Sequence, residues 1–415
     1  CFRLGDEDAR KLAKGFSFFE EKDLQNLAIG EAICRIEKSD PCLLLIFFLA
    51  ASTLSARTRN AGLGPLEVRN HYPVTHAYLW MYPENTATLP DGEALTSYSF
   101  SMANTFVNTQ GSTQKITKTE YDRGIVASDF NSADTGQAVP NLGLYMDVES
   151  YRQNFRFKYG MSTSFEVSLE VPFLTMTGGI MDEYVEAFHD LIGVSNEANE
   201  GAYRQYSDRN KFGYYVARNG ELLVADDSSV FGDTFLGKRG DTSLGAKWNL
   251  WEGGRIMPAF TLKLNYKVAN GEKTDGGQTS SGTDDWGYML TFSKGFDPWF
   301  VYFGQGMTNF GSNPDWVSDS VFHRFISLEW MMFSNQSLVI QNVIQTSIFP
   351  AEGDPSSSIP EEVDNYNLQA STALIMVGYK IQIYNLQFDT GFVQDYSNRG
   401  NETDFVVFFD AGLRW

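Results

Sequence analysis

The sequence predicts an all-β fold: a transmembrane up-and-down antiparallel β-barrel of about 12 strands, with short turns on one rim and long loops on the other. Three observations predict it. Segments of roughly ten residues, alternating apolar and polar side chains, recur from about Thr96 onward, which is the length a tilted membrane strand needs. The connections between them are alternately tight and long. Aromatic residues make up 14% of the 415 residues, yet mean hydropathy is only −0.27, as expected where half of each strand faces lipid and half faces a polar lumen. A helical membrane protein does not fit, because the only strongly apolar run, Leu43–Ala51, falls far short of the roughly 20 residues a spanning helix needs.

The chain opens on Cys1 and has no methionine before Met81. Residues 1–35 therefore read as an over-extended reading frame or a fragment. A cytoplasmic helix is the alternative, since Asp8–Leu27 carries some helical periodicity. Residues 36–56 read as a signal peptide: Arg35 and Lys38 flank the start of the apolar run, and Leu54-Ser55-Ala56 supplies a cleavage pattern after it. Cys42 precedes the run instead of closing it, unlike a lipoprotein site. All three cysteines, Cys1, Cys34 and Cys42, precede the cleavage point, which leaves the exported part without thiol or disulfide chemistry.

Residues 57–96 contain Pro65, Pro73, Pro83 and Pro90, so they form no spanning strand. Three readings stay open for them: a plug threaded into the lumen, a periplasmic segment beneath the barrel, or a partly ordered first strand. The barrel itself is expected over 97–415. Its strands lie near 97–109, 147–160, 163–175, 241–251, 255–269, 285–295, 298–309, 320–333, 336–349, 366–380, 381–394 and 403–415. Tight turns are read at Gly160–Ser162, Trp251–Gly254, Gly295–Pro298, Ser334-Asn335 and near Tyr384-Asn385. Long polar loops are read at 110–146, 176–240, 270–284, 310–319, 350–365 and 395–402. This asymmetry matches periplasmic and extracellular rims; a two-sheet sandwich gives no reason for it.

The last strand is the clearest. Phe405, Val407, Phe409, Ala411, Leu413 and Trp415 share one face, and Asp404, Asp410, Gly412 and Arg414 the other, with Val406 and Phe408 between them. Ending on such a strand, with a terminal aromatic, resembles the C-terminal signature of bacterial outer-membrane β-barrels. That resemblance implies an outer-membrane location, lipid and lipopolysaccharide as surroundings, and the barrel-assembly machinery as a partner of the final strand. A second resemblance rests on Gly64–Pro73 (GPLEVRNHYP), Gly178–Asp190 (GGIMDEYVEAFHD), Gly232-Asp-Thr234 and Gly240–Gly245 (GDTSLG). From about Gly64 to the C-terminus the chain resembles a proteobacterial outer-membrane family labelled as a domain of unknown function, DUF3187. It implies a barrel and its location, and no catalytic residue.

A charged side chain facing lipid at mid-depth costs roughly 2–4 kcal/mol, so the polar faces must point inward. The candidate lumen-lining residues are Arg152, Arg156, Lys158, Lys247, Lys263 and Lys267 on one wall, and Glu166, Glu170, Glu329, Asp389, Asp404 and Asp410 as the acidic set. The lumen is expected to be polar and charged. Its charges either form opposed walls, which orient and steer solutes, or pair across a closed interior. Tyr151, Tyr159, Trp248, Trp251, Trp286, Trp299 and Trp330 are placed as interfacial girdles. Met181–Val194 reads as an amphipathic helix that either caps the loop 176–240 or folds into the barrel mouth.

Other chemistry is expected to be lacking. A net charge of −20, from 32 basic and 52 acidic residues, argues against nucleic acid. No metal or cofactor is expected, because His71, His76, His189 and His323 form no ligand spacing. Asp226-Asp227 and Asp284-Asp285 lack the spaced ligands of a dedicated calcium loop. His323 and Ser327 share a face but would sit about 13 Å apart along a strand, and no Gly-x-Ser-x-Gly elbow is present, so an enzyme is not expected. The leading reading is a passive channel for small polar or charged solutes. The alternative is a closed barrel with a structural, adhesive or assembly role through its acidic loops, and an outer-membrane lipid hydrolase comes third.

Overall fold

A computed structural model describes residues 60–109, 116–130, 142–192, 208–218, 221–226, 230–231, 236–273, 279–312, 314, 316–350, 368, 370–396 and 400–415. The readings of 1–35 as an over-extended start and of 36–56 as a signal peptide lie outside these residues. The strands are β1 (Ala94–Thr109), β2 (Leu142–Ser162), β3 (Phe165–Thr177), β4 (Gly213–Arg218), β5 (Glu221–Asp226), β6 (Val230–Phe231), β7 (Lys238–Arg239) and β8 (Thr242–Trp251). They continue as β9 (Ala259–Val268), β10 (Asp285–Phe296), β11 (Trp299–Asn309), β12 (Ser320–Phe333), β13 (Gln336–Gln345), β14 (Thr372–Ile383), β15 (Leu386–Asp395) and β16 (Phe405–Arg414).

Twelve of them, β1 to β3 and β8 to β16, close into one antiparallel barrel. Each pairs with its neighbours in chain order, β3 pairs with β8, and β16 returns to β1. The closing seam runs from Leu95↔Arg414 to Asn104↔Phe405, and Ala94 and Trp415 exchange both backbone hydrogen bonds below it. Closure leaves no open edge in the bilayer, where an unpaired backbone group has no water to bond. The sequence explains the two faces. In β2, Phe155, Phe157 and Tyr159 are exposed outward while Arg152, Asn154, Arg156 and Lys158 are buried inward. The outer surface is an apolar belt that includes Leu264, Phe292, Phe303, Ile326, Ile340 and Phe409. Trp248, Trp251, Trp299, Trp330 and Trp415 are exposed near the turn rim; Trp299 and Trp330 stack with centroids 5.7 Å apart.

Turn chemistry shifts several boundaries. β9 starts at Ala259, not near 255: Pro258 has no N–H to donate to the ladder, and Ile256 projects into solvent at 87% exposure. The first turn moves to Thr163-Ser164, because the register slips between Gly160 and Ser162. β13 stops at Gln345, where Thr346 Oγ1 accepts from Phe322 N and Ser347 Oγ accepts from Phe349 N; such hydroxyls compete with the ladder. Tyr384 takes a positive φ of 54° in the two-residue turn before β15.

Above the loop rim, β4 and β5 continue the sheet beside β2, and β6 and β7 pair with β3. Helix α1 (Lys118–Arg123) starts with a capping box between Thr117 and Glu120. Helix α2 spans Asp182–Ile192. Its first residues dock on the outer wall: Asn104 Nδ2 donates to Asp182 (2.9 Å), and Glu149 Oε2 accepts from Ile180 N and Met181 N (2.8 and 2.6 Å). Asn104 and Glu149 are register partners that share a face with the outward-facing Phe405. Met181 and Val185 are buried there, while Tyr184 stays exposed.

Candidate functional site: a lumen filled by the segment before β1

Residues 60–90 run inside the barrel. Asn60 lies at the turn rim, donating to the carbonyls of Glu252 and Gly254. The chain then climbs past β12 and β13 to a 3-10 turn at Pro73–Ala77, where proline presets the first turn. There Tyr72, Val74 and Tyr78 pack against Val317, Ile348 and Phe349 at the loop end. The return leg descends from Leu79 to Leu89 and enters β1 at Ala94, beside Trp415. The inserted piece is therefore a loop with both ends at the turn rim.

Two kinds of contact hold it. Leu66, Val68, Trp80, Met81 and Tyr82 pack on an apolar part of the inner wall made by Tyr302, Phe325, Val339, Val343, Met376, Val393, Val406 and Phe408. The lumen, expected to be polar and charged, has in addition this apolar side. The inward faces of β11 to β16 are partly apolar because they meet protein instead of water. On the same side Glu329, fully buried, accepts from Leu63 N (2.9 Å), Gly64 N (3.1 Å) and Tyr302 Oη (2.7 Å). Gln341 clasps Leu66 through both backbone groups, each at 3.0 Å, and Lys380 Nζ donates to Pro65 O (3.0 Å) while pairing with Asp389 (2.7 Å).

The other side is ionic. Glu67 pairs with Lys158 (2.8 Å) and Arg156 (3.1 Å). Glu84 pairs with Lys263, with Lys158 at 3.3 Å and with Lys247 at 3.8 Å. Glu84 lies on the inner segment, not on a spanning strand. Burial alone would push its carboxyl up, but Lys158, Lys263 and Lys247 outweigh that and hold it well below the usual carboxylate range. Thr86 O accepts from Asn249 Nδ2 (2.8 Å) and Thr261 Oγ1 (2.9 Å), and Thr86 and Ser293 share a hydroxyl hydrogen bond of 2.5 Å. Leu89 N donates to Glu166 (2.8 Å). Tyr82 Oη donates to Glu170 (3.1 Å), and the Arg156 guanidinium lies 4.6 Å from the Tyr82 ring centroid.

The sequence-derived residues fall as follows. Arg152 and Arg156 both pair with Glu170 (3.4 and 3.2 Å), Lys247 pairs with Glu166 (3.1 Å), and Lys267 bridges Asp241 (2.8 Å) and Asp285 (3.1 Å). Asp389 and Asp410 are direct cross-strand neighbours, and Asp410 lies 3.9 Å from Arg156. Asp404 lies at the loop end of the seam: it precedes β16, and its carboxylate accepts from Phe106 N (2.7 Å). The charges thus pair locally around the wall and with the inner segment, instead of standing as two free opposed walls. His323 is buried inward and hydrogen-bonds Thr308 (3.0 Å) beside Trp80. Sequence reasoning missed Glu67, Glu84, Asp241, Asp285, Gln341 and Lys380. Strand parity could have found Gln341 and Lys380; nothing local marks Glu67 and Glu84.

A family model described as Protein of unknown function (DUF3187) matches residues 138–415, more than half of the chain. The chain belongs to this family. No curated protein matches it. Among solved structures it is similar to the COG4313 outer membrane channel from Pseudomonas putida F1, at 12% identity and a TM-score of 0.47, over 81% of this chain and 100% of that one. It is also similar to the translocator domain of autotransporter NalP from Neisseria meningitidis (7% identity, TM-score 0.34, 79% of this chain and 90% of that one). A third is the Pseudomonas putida toluene transporter TodX (8%, 0.31, 85% and 98%).

Proposed function

We propose that this chain is an outer-membrane channel for small polar or charged solutes, shut in the described state by residues 60–90 and opened when they are displaced. Export through a signal peptide at 36–56, with the short turns facing the periplasm, is part of this reading. So is contact of the apolar belt with lipid and lipopolysaccharide, and insertion by the barrel-assembly machinery through the C-terminal strand. The observation that carries it is the construction of the inner segment. It is a loop whose two ends lie at one rim, so it can leave without threading a free end through the barrel. Much of its grip is ionic and amide contact, which replaces water and counter-ions rather than adding large net stability. When it leaves, Arg152, Arg156, Lys158, Lys247, Lys263 and Lys267 would line the passage, with Glu166, Glu170, Glu329, Asp389 and Asp410.

The second reading is a permanently closed barrel working through its long acidic loops. It is favoured by the same filled lumen and by the pairing of the luminal charges. A tether separates the two. With Cys1, Cys34 and Cys42 changed to serine, Thr86→Cys and Ser293→Cys place two thiols where hydroxyls now meet at 2.5 Å, so that oxidation can join them. In planar bilayers the reduced protein should show discrete openings and the oxidised protein none. If both forms stay silent the channel reading is wrong, and equal conductance in both would show that the segment need not move.

A further inference from the structure

We infer that the cage around Glu84 is an anion site of the barrel wall, filled here by the protein's own carboxylates and open to a small soluble polyanion when residues 60–90 withdraw. The inference rests on the channel reading only in requiring that the segment can leave. Three lysines from three strands converge on one carboxylate: Lys158 of β2, Lys247 of β8 and Lys263 of β9. Lys247 and Lys263 are direct cross-strand partners on the inward face. Like charges in that position repel, and the low-dielectric interior makes the repulsion worse.

The wall supplies a single carboxylate to these three ammonium groups, Glu166 at 3.1 Å from Lys247. The other two negative charges come from Glu67 and Glu84 on the inner segment. The three lysines are thus matched by three carboxylates with the segment in place, Glu67 being shared with Arg156, and lose two of the three when it withdraws. That deficit matches a solute bearing two or more carboxylate or phosphate charges, whose oxygens would accept from the same Nζ donors. A cavity of about 30 Å³ adjoins the cage, lined in part by Ser168, Ser243 and Gly245; it has room for a water, so a polyanion would take the space that Glu67 and Glu84 vacate. Solute and segment would compete for one site, so a polyanion would act as both cargo and opener.

The test uses the full chain in detergent and in planar bilayers, with citrate or inorganic phosphate against chloride at constant ionic strength. Citrate should speed amide exchange of residues 80–88 about tenfold over chloride and raise the frequency of openings. Lys247→Gln with Lys263→Gln should abolish both effects, while Glu84→Gln should open the pore with no citrate and make it anion-selective. Should that released pore conduct without anion preference, and citrate leave exchange unchanged, the anion site is refuted while the channel stands. Exchange that responds to citrate in a barrel that never conducts would keep the site and sink the channel. No response in either readout overturns the inference.

Discussion

Glu329→Gln is the sharpest probe of how the inner segment is seated. The carboxylate is fully buried and accepts from Leu63 N, Gly64 N and Tyr302 Oη at 2.9, 3.1 and 2.7 Å. A glutamine of the same shape replaces one acceptor oxygen with an NH2 that faces a donor. At least one charge-assisted hydrogen bond is lost, at about 1.5–3 kcal/mol, and a backbone N–H is left without an acceptor, at about 1–3 kcal/mol. Together these weaken the seat by about 2.5–6 kcal/mol. At 1.4 kcal/mol per decade, that is a shift of roughly 10²- to 10⁴-fold toward the undocked segment. Hydrogen exchange of the intact protein should show faster exchange of residues 62–68, while strand amides of β12 and β13 remain protected. Protection of 62–68 unchanged from the wild type would refute the argument, because the carboxylate would then not be what holds those amides.

Gly378 lies against Leu66, where an added Cβ would come within 2.7 Å of the Leu66 side chain. Gly378→Val should cost about 1–3 kcal/mol of docking by overpacking, read as roughly 5- to 100-fold faster tryptic cleavage after Arg69 with the barrel still folded. The pH response has a fixed sign. Because the Glu84 carboxyl is held well below its ordinary value of 4.5, its contribution to docking is present above that value and lost only as pH falls through the lowered one. The protection of residues 80–88, taken relative to the intrinsic amide exchange rate at each pH, should thus stay flat from neutral pH down to 4.5 and fall only in stronger acid; a fall near neutrality would contradict the lysine cage. Asp182→Ala removes the bonds from Asn104 (2.9 Å) and Asn210 N (2.5 Å) and should loosen α2 by about 1–3 kcal/mol. Proteolysis at Arg209 should quicken with conductance unchanged, since α2 lies on the outer wall.

The strands were legible because the signal is local. In β2 and β16, period-2 alternation alone separates Tyr159 from Lys158 and Phe409 from Asp410. The alternation of tight and long connections orders the rims without any contact information. Boundaries failed where a proline or hydroxyl ended the ladder, as at Pro258 and Thr346. The site was half legible. Parity identified Arg156, Lys158, Lys247 and Lys263 as inward-facing, but a residue list cannot say which charge meets which. Val406 and Phe408, apolar on the inward face of the last strand, were the overlooked mark of a lumen that touches protein.

By itself, the sequence determined a barrel of about 12 strands, its two rims and the inward set of basic residues, because strand length, pleat and turn chemistry act over a few neighbouring positions. Only the tertiary structure decided that residues 60–90 fill the lumen and that Glu67 and Glu84 neutralise Lys158, Lys247 and Lys263. The physical reason is separation. These pairs join positions 74 to 179 residues apart, and their attraction exists only once barrel closure has brought four segments of the chain within a few ångströms and excluded the water that would screen them.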